Sequence, residues 1–81
     1  MSALRIEENA LQNPQHAAIV QRVADRPWAS LDGAYQELRH RLGHLYFVYR
    51  GGKHIAIHQD QQSEPRLVLI VEMDFAPAVQ S

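Results

Sequence analysis

The sequence contains no cysteine. This absence excludes disulfide bonds, thiolate-ligated zinc sites and cysteine catalysis, and it fits a reducing compartment. The first 12 residues lack the basic and apolar segments of a secretory leader, and no apolar run approaches the roughly 18 residues that span a bilayer. We therefore expect a soluble, cytoplasmic protein that has no membrane partner.

The sequence also lacks a marked excess of charge of either sign. Eight lysines and arginines oppose nine aspartates and glutamates, which gives a net charge of −1. This balance favours neither disorder nor a nucleic-acid or membrane partner. Hydrophobic residues make up 46% of the 81 residues, which is typical of a globular domain. A chain this short forms one domain with a thin core, so we treat 1–81 as a single domain.

The first predicted helix follows Asn13. Asparagine is a good N-cap, proline fits the first helical position at Pro14, and apolar residues then recur at helical spacing until Pro27. Because proline disfavours a helical conformation at the preceding residue, the helix should end before it. The pattern predicts a helix from 14 to about 25.

The second predicted helix has a clearer apolar stripe, with spacings of i, i+3, i+4, i+7 and i+11 from Leu31. Ser30 is a candidate N-cap, and Gly43 is a natural terminator. Acidic and basic residues also lie at the helix ends that favour them. The pattern predicts a helix over 31–42.

Three strands follow the second helix. β-Branched and aromatic residues dominate two short segments on either side of Gly51 and Gly52, and a third strand, RLVLIVEMDF, follows a polar loop. The fold class is therefore α+β, with two helices followed by a three-stranded antiparallel β-meander. Residues 1–12 can form a short strand or a helix, and residues 76–81 form a flexible tail.

A two-residue turn at Gly51 and Gly52 sets the expected pairing of the hairpin. It pairs four residues of the first strand with four of the second: Arg50 with Lys53, Tyr49 with His54, Phe47 with Ala56 and Leu45 with His58. Alternation then places the aromatic Phe47 and Tyr49 on the same face as His54 and His58.

Four of the five histidines form two pairs with three intervening residues, which raises the question of a metal site. His54 and His58 lie on one strand, so about 13 Å separates their Cα atoms, too far for one zinc ion to bind both easily. Gly43 should end the helix between His40 and His44, which removes their common face. We therefore predict no metal site, no cofactor and no catalytic residue.

The strands have more apolar residues than one buried face requires. Five apolar residues run consecutively over 67–71, and both hairpin faces carry large apolar side chains. Because two short helices cover one face only, the other face needs a cover, and a homodimer is the simplest one. The predicted protein interface consists of the following residues: Tyr46, Val48, Ile55, Ile57, Val68 and Ile70.

The second sheet face can be covered either in a dimer or within a monomer. The dimer can form by packing of sheet faces or by edge addition of the third strand. Alternatively, residues 1–13 fold over the second face and the protein is a monomer. The function that we expect is that of a non-catalytic binding or regulatory protein that acts through protein contacts, as a homodimer or with an unidentified partner.

A second interpretation is a winged-helix-like DNA-binding regulator. The order of helix 14–25, helix 31–42 and a basic hairpin tip at 50–53 fits this class if residues 5 to 12 form another helix. The expected contacts with nucleic acid are Gln36, Arg39, Arg41, Arg50 and Lys53. The net charge of −1 and the long third strand weigh against this interpretation.

Overall fold

The computed structural model describes residues 3–59 and 65–73 of the 81-residue chain. In these ranges the chain forms a strand, two helices and three further strands. The expected α+β class, with two helices followed by three antiparallel strands, is confirmed. The predicted tail 76–81 lies outside the described residues.

Helix α1 (Pro14–Asp25) begins and ends where the sequence indicates. The Asn13 side-chain oxygen accepts hydrogen bonds from the backbone N–H groups of Gln15, at 2.9 Å, and His16, at 3.4 Å. These bonds satisfy two donors that have no partner within the helix. The helix ends at Arg26, which is extended as expected for a residue before proline.

Helix α2 (Leu31–Leu42) has the predicted bounds, but its ends differ from expectation. Ser30 occupies the N-cap position without a side-chain capping hydrogen bond. Gly43 has φ −65° and ψ −16°, so it continues the right-handed conformation and does not form a left-handed terminator. Four buried residues on one stripe fix the helix against the sheet, namely Leu31, Ala34, Leu38 and Leu42.

Trp28 connects the two helices. Its indole Nε1 donates a hydrogen bond of 2.7 Å to the carbonyl oxygen of Val23, at the end of α1. Its ring lies against Gly33 in the first turn of α2, where an added Cβ would lie 3.1 Å from the ring. The glycine therefore permits the close approach that holds the helices together.

The sheet has four strands: β1 (Ala3–Asn9), β2 (Phe47–Arg50), β3 (His54–His58) and β4 (Arg66–Met73). Their order is β1-β4-β3-β2, and all neighbours are antiparallel. The N-terminal segment is thus a strand, because Leu4 and Ile6 alternate toward the core and Ile6 pairs with Ile70. Glu7 forms a bulge in this pairing.

The predicted hairpin register is wrong by two residues. Tyr49 pairs with Ala56, and Arg50 pairs with Ile55, while the Gly51 N–H donates to the His54 carbonyl at 2.9 Å. The turn is therefore centred one residue later than expected, and neither glycine has φ in the left-handed region. Because a shift of two residues preserves the alternation, the predicted faces of the paired strands survive this error.

Both helices pack on the same face of the sheet. Four sheet residues on this face have no exposed surface: Ile55, Ile57, Val68 and Ile70. Val20 of α1 and Leu38 and Leu42 of α2 are equally buried against them. The core is thus a single layer between the helices and the sheet, and both helices of the described ranges leave the opposite sheet face uncovered.

Candidate protein interface on the open sheet face

The structure reassigns most of the predicted interface to the core. Ile55, Ile57, Val68 and Ile70 are 0% exposed beneath the helices, so no partner can reach them in the folded chain. Their assignment to an interface is wrong, because sequence alternation groups residues by face without showing which face the helices cover. The candidate protein interface is therefore the sheet face opposite the helices.

The other two predicted interface residues also face the helical side. Val48 is half-buried and packs against the core. The Tyr46 hydroxyl lies 2.7 Å from Nδ1 of His16, and the two rings meet edge to face with centroids 5.4 Å apart. Tyr46 therefore contacts α1, through His16, at the start of the hairpin.

We call the sheet surface opposite the helices the open face. The strand pairing brings its aromatic, histidine and apolar residues together: Phe47, Tyr49, His54, Ala56, His58, Leu69, Val71 and Met73. They lie in rows across the sheet, such as the row from Tyr49 through Ala56 to Leu69. The apolar residues therefore form one continuous band rather than separate exposed side chains.

The aromatic side chains of the open face project from edge strand β2. Phe47 and Tyr49 are each 40% exposed, whereas Ala56 on the neighbouring strand is 6% exposed. The Tyr49 ring meets the His58 ring edge to face, with centroids 5.3 Å apart. Large exposed rings at one edge of a sheet are typical anchors of protein interfaces.

A shallow depression adjoins these rings. It has a volume of about 480 Å³ and lies over β3 and β4, with His54, Ala56, His58 and Leu69 in its lining. Ala56 has the smallest of these side chains and lies next to the large ring of Tyr49 in the pairing. The open face therefore has a projecting part on β2 and a recessed part beside it.

Charged residues border the open face on the side of β1. Arg66 donates from Nε, at 3.1 Å, and from Nη2, at 3.0 Å, to one carboxylate oxygen of Glu8. Arg5 forms an ion pair with Glu7 at the bulge. Because these residues are exposed, the pairs contribute little stability, but they give the apolar band a polar rim.

The two histidines of β3 lie on the open face, the same face as Phe47 and Tyr49. The His54 ring lies over Gly51, where a Cβ would overlap it. Nδ1 of His58 is buried and has no hydrogen-bond partner among the described residues. No group of three or more potential metal ligands occurs within residues 3–59 and 65–73.

A second feature of the surface was missed by sequence reasoning. A cleft of about 430 Å³ lies at one end of the helix–sheet sandwich, with Leu11, His16, Leu45 and Tyr46 in its lining. The histidine and tyrosine that meet there are 30 positions apart in the sequence. No local pattern marks such a pair, because only the packing of α1 beside the hairpin brings them together.

The residues predicted to contact DNA lie on two separate elements. Gln36, Arg39 and Arg41 are on α2, whereas Arg50 and Lys53 are at the hairpin tip. The winged-helix interpretation required a helix within residues 5 to 12, and the structure has strand β1 there instead. The structural premise of that interpretation is therefore wrong.

Glu37 is the clearest electrostatic feature of the helical layer. Its hydrogen bond with Arg41, four residues later on α2, holds the pKa of this carboxyl below its ordinary value of 4.5. The positive charges of Arg26 and His40 act in the same direction, and partial burial opposes them. A carboxylate placed four residues before an arginine is in the favourable orientation for a helical ion pair.

None of the helices in the described ranges is long and apolar enough to cross a membrane. Comparison of the chain with protein-family models, curated proteins and solved structures finds no match.

Proposed function

We propose that this protein is a non-catalytic binding module that acts through protein contacts and forms a homodimer through its open face. The observation that carries this proposal is the pair of rings of Phe47 and Tyr49, each 40% exposed beside a band of half-buried apolar residues. Burial of such rings is among the strongest contributions to binding between proteins. A cytoplasmic location remains a prediction from composition.

The path of β1 supports a second copy as the cover of the open face. Residues 3–9 extend the sheet by pairing with β4, so they do not lie across its face. Edge addition of the third predicted strand is also excluded, because β4 lies between β1 and β3. The free edge of β1 carries a bulge and charged residues, which disfavour strand addition there.

Shape and charge on the open face favour a twofold arrangement. A twofold axis that lies between two copies and runs parallel to the strands puts β2 of each copy above β1 and β4 of the other. The projecting rings of Phe47 and Tyr49 then meet the recessed part of the partner's surface. The guanidinium groups of Arg5 and Arg66 lie on the same side, where they can stack on these rings.

The size of the face sets the expected affinity. Four strands spaced by about 4.8 Å, each with about five residues in the contact, give a flat sheet area on the order of 300–400 Å² per copy. The side chains that project from the sheet add to this area. This is small for a specific protein interface. We therefore expect a reversible dimer with a Kd in roughly the micromolar range, which a concentration series can resolve.

The experiment measures molar mass by size exclusion with light scattering over a hundredfold range of concentration. The wild-type mass should rise from the 9.3 kDa of one chain toward twice that value. Tyr49→Asp and, separately, Phe47→Asp should hold the mass at one chain, because each puts a charge where the contact would bury an aromatic ring. Circular dichroism checks that both variants keep the wild-type fold.

Leu45→Asp is the matched control. Leu45 is 49% exposed, but it lies in the cleft on the helical side rather than on the open face. This variant should dimerise like the wild type. A wild-type protein that stays monomeric at every concentration, or a dimer that only Leu45→Asp disrupts, would overturn the proposal.

A further inference from the structure

The outer surface of the helical layer contains a small basic groove between α1 and α2. It has a volume of about 130 Å³ and is lined by Ile19, Arg22, Val23, Arg26, Glu37 and Arg41. The lining thus carries three arginines and one carboxylate, in a chain whose net charge is −1. The groove lies on the side of the molecule away from the open face, so it is a separate surface.

The three arginines of the groove differ in the contacts that they make within the chain. Arg41 is paired with Glu37, and the Arg26 guanidinium lies 4.5 Å from the centroid of the Trp28 ring. Arg22 is exposed on α1, and it makes no ion pair with any residue in the described part of the chain. The groove therefore keeps two positive charges without a carboxylate in its lining, on Arg22 and Arg26, and they point to an anionic group as the partner.

The floor of the groove indicates the kind of anion. Ile19 is half-buried and Val23 is 3% exposed, so the arginines surround aliphatic side chains. A phosphate backbone gains nothing from an aliphatic floor. A peptide with carboxylates on either side of an aliphatic residue satisfies both the arginines and the floor.

We propose that the groove between α1 and α2 docks an acidic peptide segment of a partner protein, with an aliphatic residue against Ile19 and carboxylates against Arg22 and Arg26. This assignment concerns a surface other than the open face, so it does not depend on dimer formation. Each copy of a dimer would present one such groove.

Trp28 provides a reporter for this binding, because it is the only tryptophan of the chain and Arg26 stacks on its ring. The probe is a capped peptide Glu-Glu-Leu-Glu-Glu, titrated at low salt and followed by tryptophan fluorescence and by NMR shifts of the Ile19 and Val23 methyl groups. Two peptides serve as controls, Gln-Gln-Leu-Gln-Gln without charge and Glu-Glu-Ser-Glu-Glu without the aliphatic residue. Both should bind several-fold more weakly than the probe.

Two arginine variants separate the groove from general surface charge. Arg22→Gln should weaken peptide binding by roughly three- to fivefold, the upper part of the range for one exposed ion pair. Arg39→Gln removes the same charge from α2 outside the groove lining, so it should change binding by less than about twofold. Both residues are exposed, and melting curves should confirm that neither variant disturbs the fold.

Glu37→Gln gives a test in the opposite direction. It removes the negative charge from the groove wall, so it should strengthen binding of the acidic probe. Equal effects of Arg22→Gln and Arg39→Gln, or no response of fluorescence and methyl shifts up to millimolar peptide, would overturn the proposal. Displacement of the peptide by an equally charged DNA duplex at lower concentration would overturn it in favour of nucleic acid.

Discussion

Replacement of Ile57 by alanine tests which face of the sheet the helices cover. Ile57 is fully buried on β3 and pairs with Val48 on one side and Val68 on the other. Truncation of a buried isoleucine costs about 2–5 kcal/mol, because it removes apolar contacts and leaves a cavity. With no exposed surface at this position, we expect a loss of roughly 3–4 kcal/mol in the free energy of unfolding.

This loss is large compared with the stability of the whole domain. A domain of this size is expected to be stable by roughly 4–12 kcal/mol, so the variant should approach the limit of folding. Leu69→Ala is the matched comparison, because Leu69 lies on the open face and is half-buried. Its truncation should cost about 1 kcal/mol, since much of that side chain already meets solvent.

Urea unfolding followed by circular dichroism measures both values. The protein concentration should be low enough to keep the chain monomeric, because dimer formation would add concentration-dependent stability. The reasoning fails if Ile57→Ala unfolds within 1 kcal/mol of the wild type and Leu69→Ala loses several kcal/mol. That result would mean that the open face, rather than the helical side, contains the core.

Three further predictions concern local features. Asn13→Ala should cost about 1 kcal/mol in a urea titration because it removes the N-cap of α1, whereas Ser30→Ala should stay within about 0.5 kcal/mol because Ser30 makes no side-chain cap. Gly51→Ala should displace the exposed His54 ring, which its Cβ would overlap, and so shift the NMR signals of that ring with little change in melting temperature; Gly52→Ala meets no atom within 4 Å and should change neither. Folding lowers the pKa of Glu37, so its ion pair stabilises the native state at pH values above the ordinary pKa of 4.5. This stabilisation is lost as the pH falls through the lower pKa of the folded state. Glu37→Gln should therefore lose less stability on acidification than the wild type, and identical pH profiles would contradict this assignment.

The helices and most of the strands follow from local features of the sequence. Local signals mark their ends, such as the cap at Asn13 and the proline at position 27, and helix bounds depend on interactions within a few residues. The alternation of Phe47, Tyr49, His54 and His58 also predicted a shared face. That prediction survived a register error of two residues because side chains alternate with a period of two.

The identity of the uncovered sheet face, in contrast, depends on tertiary packing. Ile55 and Ile57 on one face and Phe47 and Tyr49 on the other are all hydrophobic, so periodicity alone cannot order them. The choice depends on contacts between distant segments, in which Val20, Leu38 and Leu42 bury the isoleucines and leave the aromatic rings exposed. The same long-range packing sets β1 at the sheet edge, brings His16 to Tyr46 and forms the basic groove between the helices. Such contacts join residues that no local pattern relates, so the position of the candidate interface is a property of the folded chain and not of any short segment.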